Sequence, residues 1–399
     1  MAYHALPQAD RPLDGMLVLD FSQFLAGPVA ALRLADLGAR VIKIERPGTG
    51  DIGRRLAFAG LELDGDTLSF HAMNRGKQSF TADLKSAPGL DRVKELVRQA
   101  DVLVQNFRPG VMERIGLDYE SASALNPRLV YGTITGYGPD GPWRDKPGQD
   151  LLAQSVSGLP WLNGNGAQGP VAVGLSLADS LASIHLAHGI TALLLRRERT
   201  GRGGTIETSL LEGMLDLQFE LLTARFFDPD LAVKRGSTHS AHAFLPAPYG
   251  IYPTADGHLA LAMNPVPRIG SLIGLPALTA YQDPRTWWTE QEKISELLAA
   301  HLATRPTDHW LDLLEPADVW CAPVHALPEL IDHEGFTALE MTHEVRRAPD
   351  PGSPAEDAPP AVRTTRSPLR IDGGLLSGGG AAPRLGEHNE AVRAEFLEG

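Results

Sequence analysis

Apolar residues in this chain fall into short unbroken runs, and between them lie segments with apolar positions three or four residues apart. "MLVLDFS" (16–22) is the first run, and its continuous apolar character reads as a strand buried on both faces. "GPVAALRLADLG" (27–38) places Val29, Leu32 and Leu37 at helical spacing and ends in a glycine suited to a C-cap. "ARVIKIE" (39–45) reads as a second strand. Strand, helix and strand in succession predict a parallel sheet. The alternation continues with a helix in "GLDRVKELVRQA", strands in "DVLVQNF" and "RLVYGTITGYG", and a helix over about 178–198. Next come a strand in "TIETSL" and a long amphipathic helix in "LLEGMLDLQFELLTARFF". Residues 1–225 therefore read as one doubly wound α/β domain.

The pattern then changes. "KRGSTHSAHAFLPAPYG" is a polar link, and "GIYPTADGHLALAM" reads as a hairpin turning at Ala255-Asp256-Gly257. Helical segments up to about residue 330 predict a smaller second domain within 226–340. "RRAPDPGSPAEDAPPAVR" (346–363), rich in proline and acid, reads as an extended connector, and the tail ends in a short helix.

Composition narrows the function classes. The 399 residues are 43% hydrophobic and 21% charged, an ordinary globular balance. A net charge of −13 disfavours nucleic acid or an anionic membrane as a general partner. Local clusters of Arg and Lys can still hold a small anion. Cys321 is the single cysteine, so no intrachain disulfide forms and a reducing compartment fits. The opening "MAYHALPQADRPLDG" lacks the apolar core of a signal peptide. No apolar run reaches the roughly 18 residues that a membrane helix needs. The expectation is a soluble, cytoplasmic protein with no membrane partner.

Three motifs invite function and are set aside. "GNGAQG" (164–169) has G-x-G-x-x-G spacing, but "PVAVGLSL" after it does not open a helix, and the first strand runs into "FSQFLAGP" instead. A nicotinamide cofactor is not expected. His185 and His188 lie one helical turn apart without an evident third ligand, so no metal is expected. Cys321 sits in apolar surroundings and reads as an inert thiol.

"VGLSLADSLASIHLAHGI" (173–190) is different, because it sets Asp179 among Leu177, Ala178, Leu181 and Ala182 where a helix begins. Asp often caps helices, and spacing alone favours that ordinary role.

Eight stretches, in order, change the weighting. They are "VLDFSQFLAGPVAALRLADLGARVIKIERPGTGD" (18–51), "NRGKQSFTADLKSAPG" (74–89), "ADVLVQNFRPGVMERIGLDYESASALNPRLVYGTITGYGPDGP" (100–142), "DLLAQSVSG" (150–158), "VGLSLADS" (173–180), "RRERTGRGGTIETSLLEG" (196–213), "YPTADGHLALAM" (252–263) and "RLGEHNEAV" (384–392). Together they resemble the family III CoA-transferases, the CaiB–BaiF family, which also contains α-methylacyl-CoA racemases. The resemblance implies a large Rossmann-like CoA-binding domain (1–225), a linker and small domain (226–340), and a linker and C-terminal return to the large domain (341–399). It also implies a homodimer whose chains interlock like linked rings. Acyl-CoA and a carboxylic acid would be the substrates, with no tightly bound cofactor.

The same resemblance assigns roles. Asp179, in "LADS", matches the transferases' nucleophile, whose acyl anhydride and CoA thioester relay the CoA group. Leu25 and Ala26 in "FLAGP" match positions beside the pantetheine. Arg46, Lys85, Asn106, Phe107 and Arg114 match positions that contact the nucleotide, with Phe107 offering adenine a packing surface. In "PGQDLLAQ" (147–154), Gln149 stands where the racemases carry a histidine, and Asp150 comes next as a supporting acid. An amide cannot exchange protons near neutral pH, so this departure favours a transferase over a racemase. A non-catalytic CoA-binding protein is the lesser alternative. "SGGGAAP" (377–383) reads as a flexible link, and no equivalent of a mobile glycine loop stands out.

Overall fold

The computed structural model describes residues 4–56, 59–232, 235–236, 238–349, 352–377 and 379–398. The polar link and the "SGGGAAP" segment therefore fall partly outside the described residues, at Lys234, Ser237 and Gly378. The chain divides into two compact units, one of Met1–Ala153, Ser176–Leu217 and Leu339–Gly399, the other of Gln154–Leu175 and Gln218–Ala338.

The first unit is built on a parallel sheet of six strands: β1 (Leu17–Asp20), β2 (Arg40–Glu45), β3 (Gln78–Thr81), β4 (Val102–Gln105), β5 (Val130–Thr135) and β6 (Gly204–Ser209). Their order is β3-β2-β1-β4-β5-β6. Strand order reverses between β1 and β4, and in such sheets the strands' carboxyl ends part there to leave a crevice. The principal helices are α1 (Ala26–Asp36), α2 (Leu68–Asn74), α3 (Ala87–Gln99), α4 (Asp150–Ser157), α5 (Leu177–Thr200) and α6 (Leu210–Leu217). Apolar runs suit this sheet because both faces are covered. Leu19, Ile42, Phe80, Leu103 and Tyr131 form one core with Val93 and Leu96 of α3. On α5, a Cβ at Gly189 would lie 2.5 Å from Ile206 Cγ1, so bare backbone lets the helix lie close against β6. By length and composition alone α5 would suffice to cross a membrane, although Asp179, Ser180, Ser183, His185 and His188 interrupt its apolar residues. In this unit it packs on β5, β6 and α1.

Two further elements depart from expectation. β3 has one large apolar side chain, Phe80, and the apolar pattern does not announce it. Its partners come from the far end of the chain: His388 N–H donates to Ser79 O (3.1 Å), and the Asn389 side chain bonds both Thr81 N–H (2.8 Å) and Thr81 Oγ1 (2.9 Å). The long helix expected over 210–227 is instead α6 and a separate helix, Phe219–Phe227. Gln218 leaves helical geometry (φ −98°, ψ 18°), and its amide donates to Ser157 O at 3.3 Å.

The second unit holds an antiparallel sheet of β7 (Gly250–Pro253), β8 (His258–Leu261) and β9 (Cys321–Pro323), in the order β9-β8-β7. The expected hairpin turn is present: Thr254 N–H donates to Gly257 O (2.9 Å). Tyr252, Leu259, Ile294, Leu298 and Trp310 form its core.

Beneath the crevice of the first unit lies a buried cluster of charge. Asp20 on β1 and Lys43 on β2 are register partners, and both are fully buried. Lys77 Nζ donates to Asp20 Oδ2 (2.8 Å) and Asn74 Oδ1 (2.9 Å), while Lys43 Nζ meets Asp51 Oδ2 at 2.8 Å. Burial works to raise the Asp20 pKa, but the charges of Lys43 and Lys77 outweigh it and hold the carboxyl down at about 2. For Lys77, burial dominates and lowers the ammonium to about 8. Nearby, Arg54 pairs with Glu45 through Nε–Oε1 (2.8 Å) and Nη2–Oε2 (2.7 Å) and reaches Asp66 at 2.9 Å. Removing one partner from such a buried set leaves a charge short of compensation. Lys77→Met is therefore expected to lower stability by about 3 kcal/mol in urea unfolding, with the denaturant slope unchanged.

Candidate active site

Each side of the crevice is shaped by the segment in which the chain leaves a strand. After β1 the chain turns through Ser22–Leu25 into α1, and buried ammonium groups hold both ends of this turn. Lys43 Nζ donates to Ser22 O (2.7 Å) and Lys77 Nζ to Pro28 O (2.8 Å). Asn106, just past β4, clips its middle: Oδ1 accepts Gln23 N–H and Nδ2 donates to Gln23 O, both at 2.8 Å. Phe24 is held at φ 65°, in the left-handed region that non-glycine residues seldom occupy, with its ring half exposed. Phe107 N–H donates to Gln105 Oε1 (2.8 Å), and its ring packs on the core from the crevice side.

A cleft of about 570 Å³ results. Phe24, Leu25, Ala26, Asn106 and Phe107 line one side, and Gln149, Asp150, Ser176 and Asp179 another. Of the sequence-predicted residues, the structure thus brings together Leu25, Ala26, Asn106, Phe107, Gln149, Asp150 and Asp179. Arg46, Lys85 and Arg114 do not line this cleft. They are exposed, Arg46 directly after β2, Lys85 beyond β3 and Arg114 in the helix Val111–Ile115 beyond β4. None of their side chains has a hydrogen-bond or ion-pair partner among the described residues, so their charges are free to meet an external anion.

Asp179 is not the cap of its helix. Ser176 holds the N-cap position of α5, and Asp179 stands in the first turn. Its backbone N–H donates to Asp150 Oδ1 at 3.1 Å, and Asp150 itself opens α4. The two acids, 29 residues apart in sequence, are thereby locked side by side at the start of two helices. Among the described residues the Asp179 carboxylate accepts no hydrogen bond and forms no ion pair. Burial, and secondly the charge of Asp150, push its pKa up to about 7. The helix N-terminus favours the anion, yet desolvation prevails here. A carboxylate half removed from water, left without a partner and facing a cleft is costly for stability and suited to chemistry.

Several cleft residues were not singled out by sequence. Phe24 is one, and no sequence signal betrays its backbone conformation. Arg108, Arg144 and Lys146 also line the cleft. Arg144 and Lys146 stand in "GPDGPWRDKPGQD", to which the sequence analysis gave no role. "GNGAQG" forms turns with no helix after it. His185 Nε2 lies 3.4 Å from Asp216 Oδ2, and His188 is exposed. Among the described residues no group of three or more His, Cys, Asp or Glu could hold a metal ion. Burial raises the Cys321 thiol pKa, which keeps it protonated and unreactive.

Comparison with known proteins agrees with the geometry. Residues 13–389 match the family described as CoA-transferase family III. The chain is 32% identical to a succinate–glutarate CoA-transferase of Agrobacterium fabrum, over 98% of this chain and 97% of that one. It is likewise 32% identical to an acetyl-CoA:oxalate CoA-transferase of Acetobacter aceti, over 96% of each chain. Among solved structures, a CAIB/BAIF family protein from Brucella suis superposes with a TM-score of 0.81 at 29% identity, over 96% of this chain and 99% of that one. Rv3272 from Mycobacterium tuberculosis gives 0.80 at 29% identity, over 97% and 99%. With a sheet of this order, a cleft at its reversal point and full-length similarity to transferases, the chain belongs to the family III CoA-transferases, the CaiB/BaiF family.

Proposed function

We propose that this enzyme moves CoA from an acyl-CoA donor to a carboxylic acid acceptor, with Asp179 as the nucleophile. The observation that carries the proposal is the unpartnered, desolvated carboxylate at the start of α5, facing the cleft. Water stabilises a carboxylate too well for it to attack a thioester readily, and a site that withholds water also shields an acyl anhydride from hydrolysis. In the first step an Asp179 oxygen attacks the thioester carbonyl. The C–S bond breaks, CoA leaves as thiolate, and an aspartyl–acyl anhydride remains. The thiolate attacks the aspartyl carbonyl, the donor acid departs as carboxylate, and an aspartyl-CoA thioester forms. The acceptor carboxylate attacks that carbonyl and expels thiolate. The thiolate then takes the acceptor acyl group, which frees Asp179. Acyl activation is conserved at each exchange, so ATP is not consumed.

Leu25 and Ala26 lie beside the pantetheine in this proposal, and Phe107 offers adenine its face. Arg46, Lys85 and Arg114 meet the phosphates. Asp150 tunes and positions Asp179. Gln149, an amide on the cleft wall, cannot serve as the second proton-transfer group that racemisation requires. We propose too that two chains interlock as a homodimer, as the family resemblance implies, and that the enzyme works in the cytoplasm.

The test is exchange between succinyl-CoA and glutarate, measured as a function of pH. Because only the anion attacks, kcat/KM is expected to climb with pH and level off above about 7. Asp150→Asn keeps an acceptor for Asp179 N–H but removes a neighbouring charge, so it should move that midpoint downward. A midpoint that Asp150→Asn leaves in place would contradict the coupling. Asp179→Asn should abolish exchange, with a loss of about 10⁴-fold or more.

The same group has a stability signature. Folding raises the Asp179 pKa from 3.8 to about 7, so between those values the folded chain holds a proton that the unfolded chain has released. Stability from this site is therefore lost as pH rises through the window. Asp179→Asn removes that loss. The variant should exceed the parent by about 1–2 kcal/mol at about pH 8, less than the full shift because the side chain keeps some contact with water. The margin should vanish near the ordinary carboxylate pKa of about 4 in parallel urea titrations.

A further inference from the structure

The segment from Ser22 to Pro28 carries one wall of the cleft, since Phe24, Leu25 and Ala26 all line it. It is folded tightly on itself: a Cβ at Gly27 would lie 2.2 Å from Ser22 Cβ. No side chain caps α1 at its start. The placement of that start falls instead to the ammonium of Lys77, which reaches it from the chain just before β3.

Every donor of Lys77 is in use. Its side chain is fully buried, and Nζ donates to Asp20 Oδ2 (2.8 Å), Pro28 O (2.8 Å) and Asn74 Oδ1 (2.9 Å). An ammonium has three N–H groups, one for each oxygen. A neutral amine has two, and its lone pair would then face an oxygen. Asp20, as an anion, keeps the strongest claim on what remains. Asn74 is anchored beside Lys77, its Nδ2 donating to Phe70 O (3.2 Å). The bond that gives way on deprotonation is therefore the one to Pro28 O, and the hold on α1 goes with it.

The two ends of the segment differ in this respect. Lys43, which holds Ser22 O, is also buried, but Asp20, Asp51 and Glu45 outweigh burial and keep it charged. The charges acting on Lys77 are Asp20 on β1, Lys43 on β2 and Asp51 beyond β2, while α1 and α2 meet it through Pro28 O and Asn74 Oδ1. Burial disfavours the ammonium most and Lys43 adds to that; Asp20 and Asp51 oppose them, and the proton leaves at about pH 8. One end of the segment is fixed, and the other is held only while Lys77 is charged.

We propose that Lys77 is a positioning residue for acyl-CoA: its ammonium latches the start of α1 so that Leu25 and Ala26 meet the pantetheine, and loss of its proton weakens CoA binding while the chemistry at Asp179 continues. This rests on the placement of the pantetheine in the reading above.

Calorimetric titration with S-ethyl-CoA, a thioether with no reactive carbonyl and no titrating thiol, tests it between about pH 7 and 9.5. The parent, Lys77→Met and Asp179→Asn are compared, together with kcat and KM for succinyl-CoA in exchange with glutarate. Parent affinity should fall about fivefold. The fall should set in near pH 8 and level off at higher pH, because bound thioether makes Lys77 hold its proton more tightly. Lys77→Met should bind about fivefold more weakly at pH 7, with no step near pH 8. Its KM for succinyl-CoA should rise to match, with kcat within about twofold of the parent. A flat parent profile overturns the proposal, as does a parent that binds no thioether. A step that persists in Lys77→Met also overturns it, and so does a loss confined to kcat. If Lys77→Met does not fold, the parent profile alone decides. Asp179→Asn should keep the step; losing it would overturn the latch by assigning the proton to Asp179. Exchange surviving in Asp179→Asn defeats the nucleophile assignment, while the titrations still decide the latch.

Discussion

The ammonium groups of Lys43 and Lys77, buried around Asp20, secure the part of the enzyme on which its cleft depends. A turn between a strand and a helix would ordinarily be free to shift, and this one carries Phe24, Leu25 and Ala26. Each end is tied through a backbone carbonyl, Ser22 O or Pro28 O, to a cation that cannot move without exposing the carboxylate of Asp20. Desolvating three charges is expensive, and the compensation is geometric: hydrogen bonds to fixed carbonyls in a dry interior keep the wall of the cleft in one place. The unfavourable backbone of Phe24 persists because its surroundings leave it no alternative.

Asp179 inverts that logic. Asp20 is buried with every partner it needs and is held ionised, whereas the Asp179 carboxylate is partly buried with none among the described residues. One carboxylate belongs to the scaffold and the other is kept at high energy. The hydrogen bond from Asp179 N–H to Asp150 brings a second negative charge near, so the fold adds to the cost instead of relieving it. Under the proposed mechanism, the uncharged acyl intermediates on Asp179 would relieve that cost during turnover.

Much of this could be read from the chain. β1, β2, β4 and β5 are continuous apolar runs, a pattern that buried parallel strands require, and with them came the parallel sheet. Asp179 at a helix start was legible from the apolar residues around it, but the cap that spacing alone gave to Asp179 belongs to Ser176. β3 was not, because its pairing relies on Asn389, 308 residues away. The break at Gln218 was hidden for a similar reason, since local propensity favours one helix and the competing carbonyl belongs to Ser157. Charge balance at the site was also illegible. A helix N-terminus and a desolvated pocket push a carboxylate in opposite directions, and only the distance to Asp150 and the surroundings of the carboxylate decide the sum.

The most direct measurement is intact-protein mass spectrometry after mixing with a panel of acyl-CoAs, with borohydride trapping and peptide mapping. An acyl or CoA adduct on the peptide that carries Asp179 is the predicted result, and the thioester that yields it identifies a donor. Absence of an adduct from every thioester, together with deuterium uptake at the α-carbon of a 2-methylacyl-CoA, would contradict the account and establish a racemase despite Gln149.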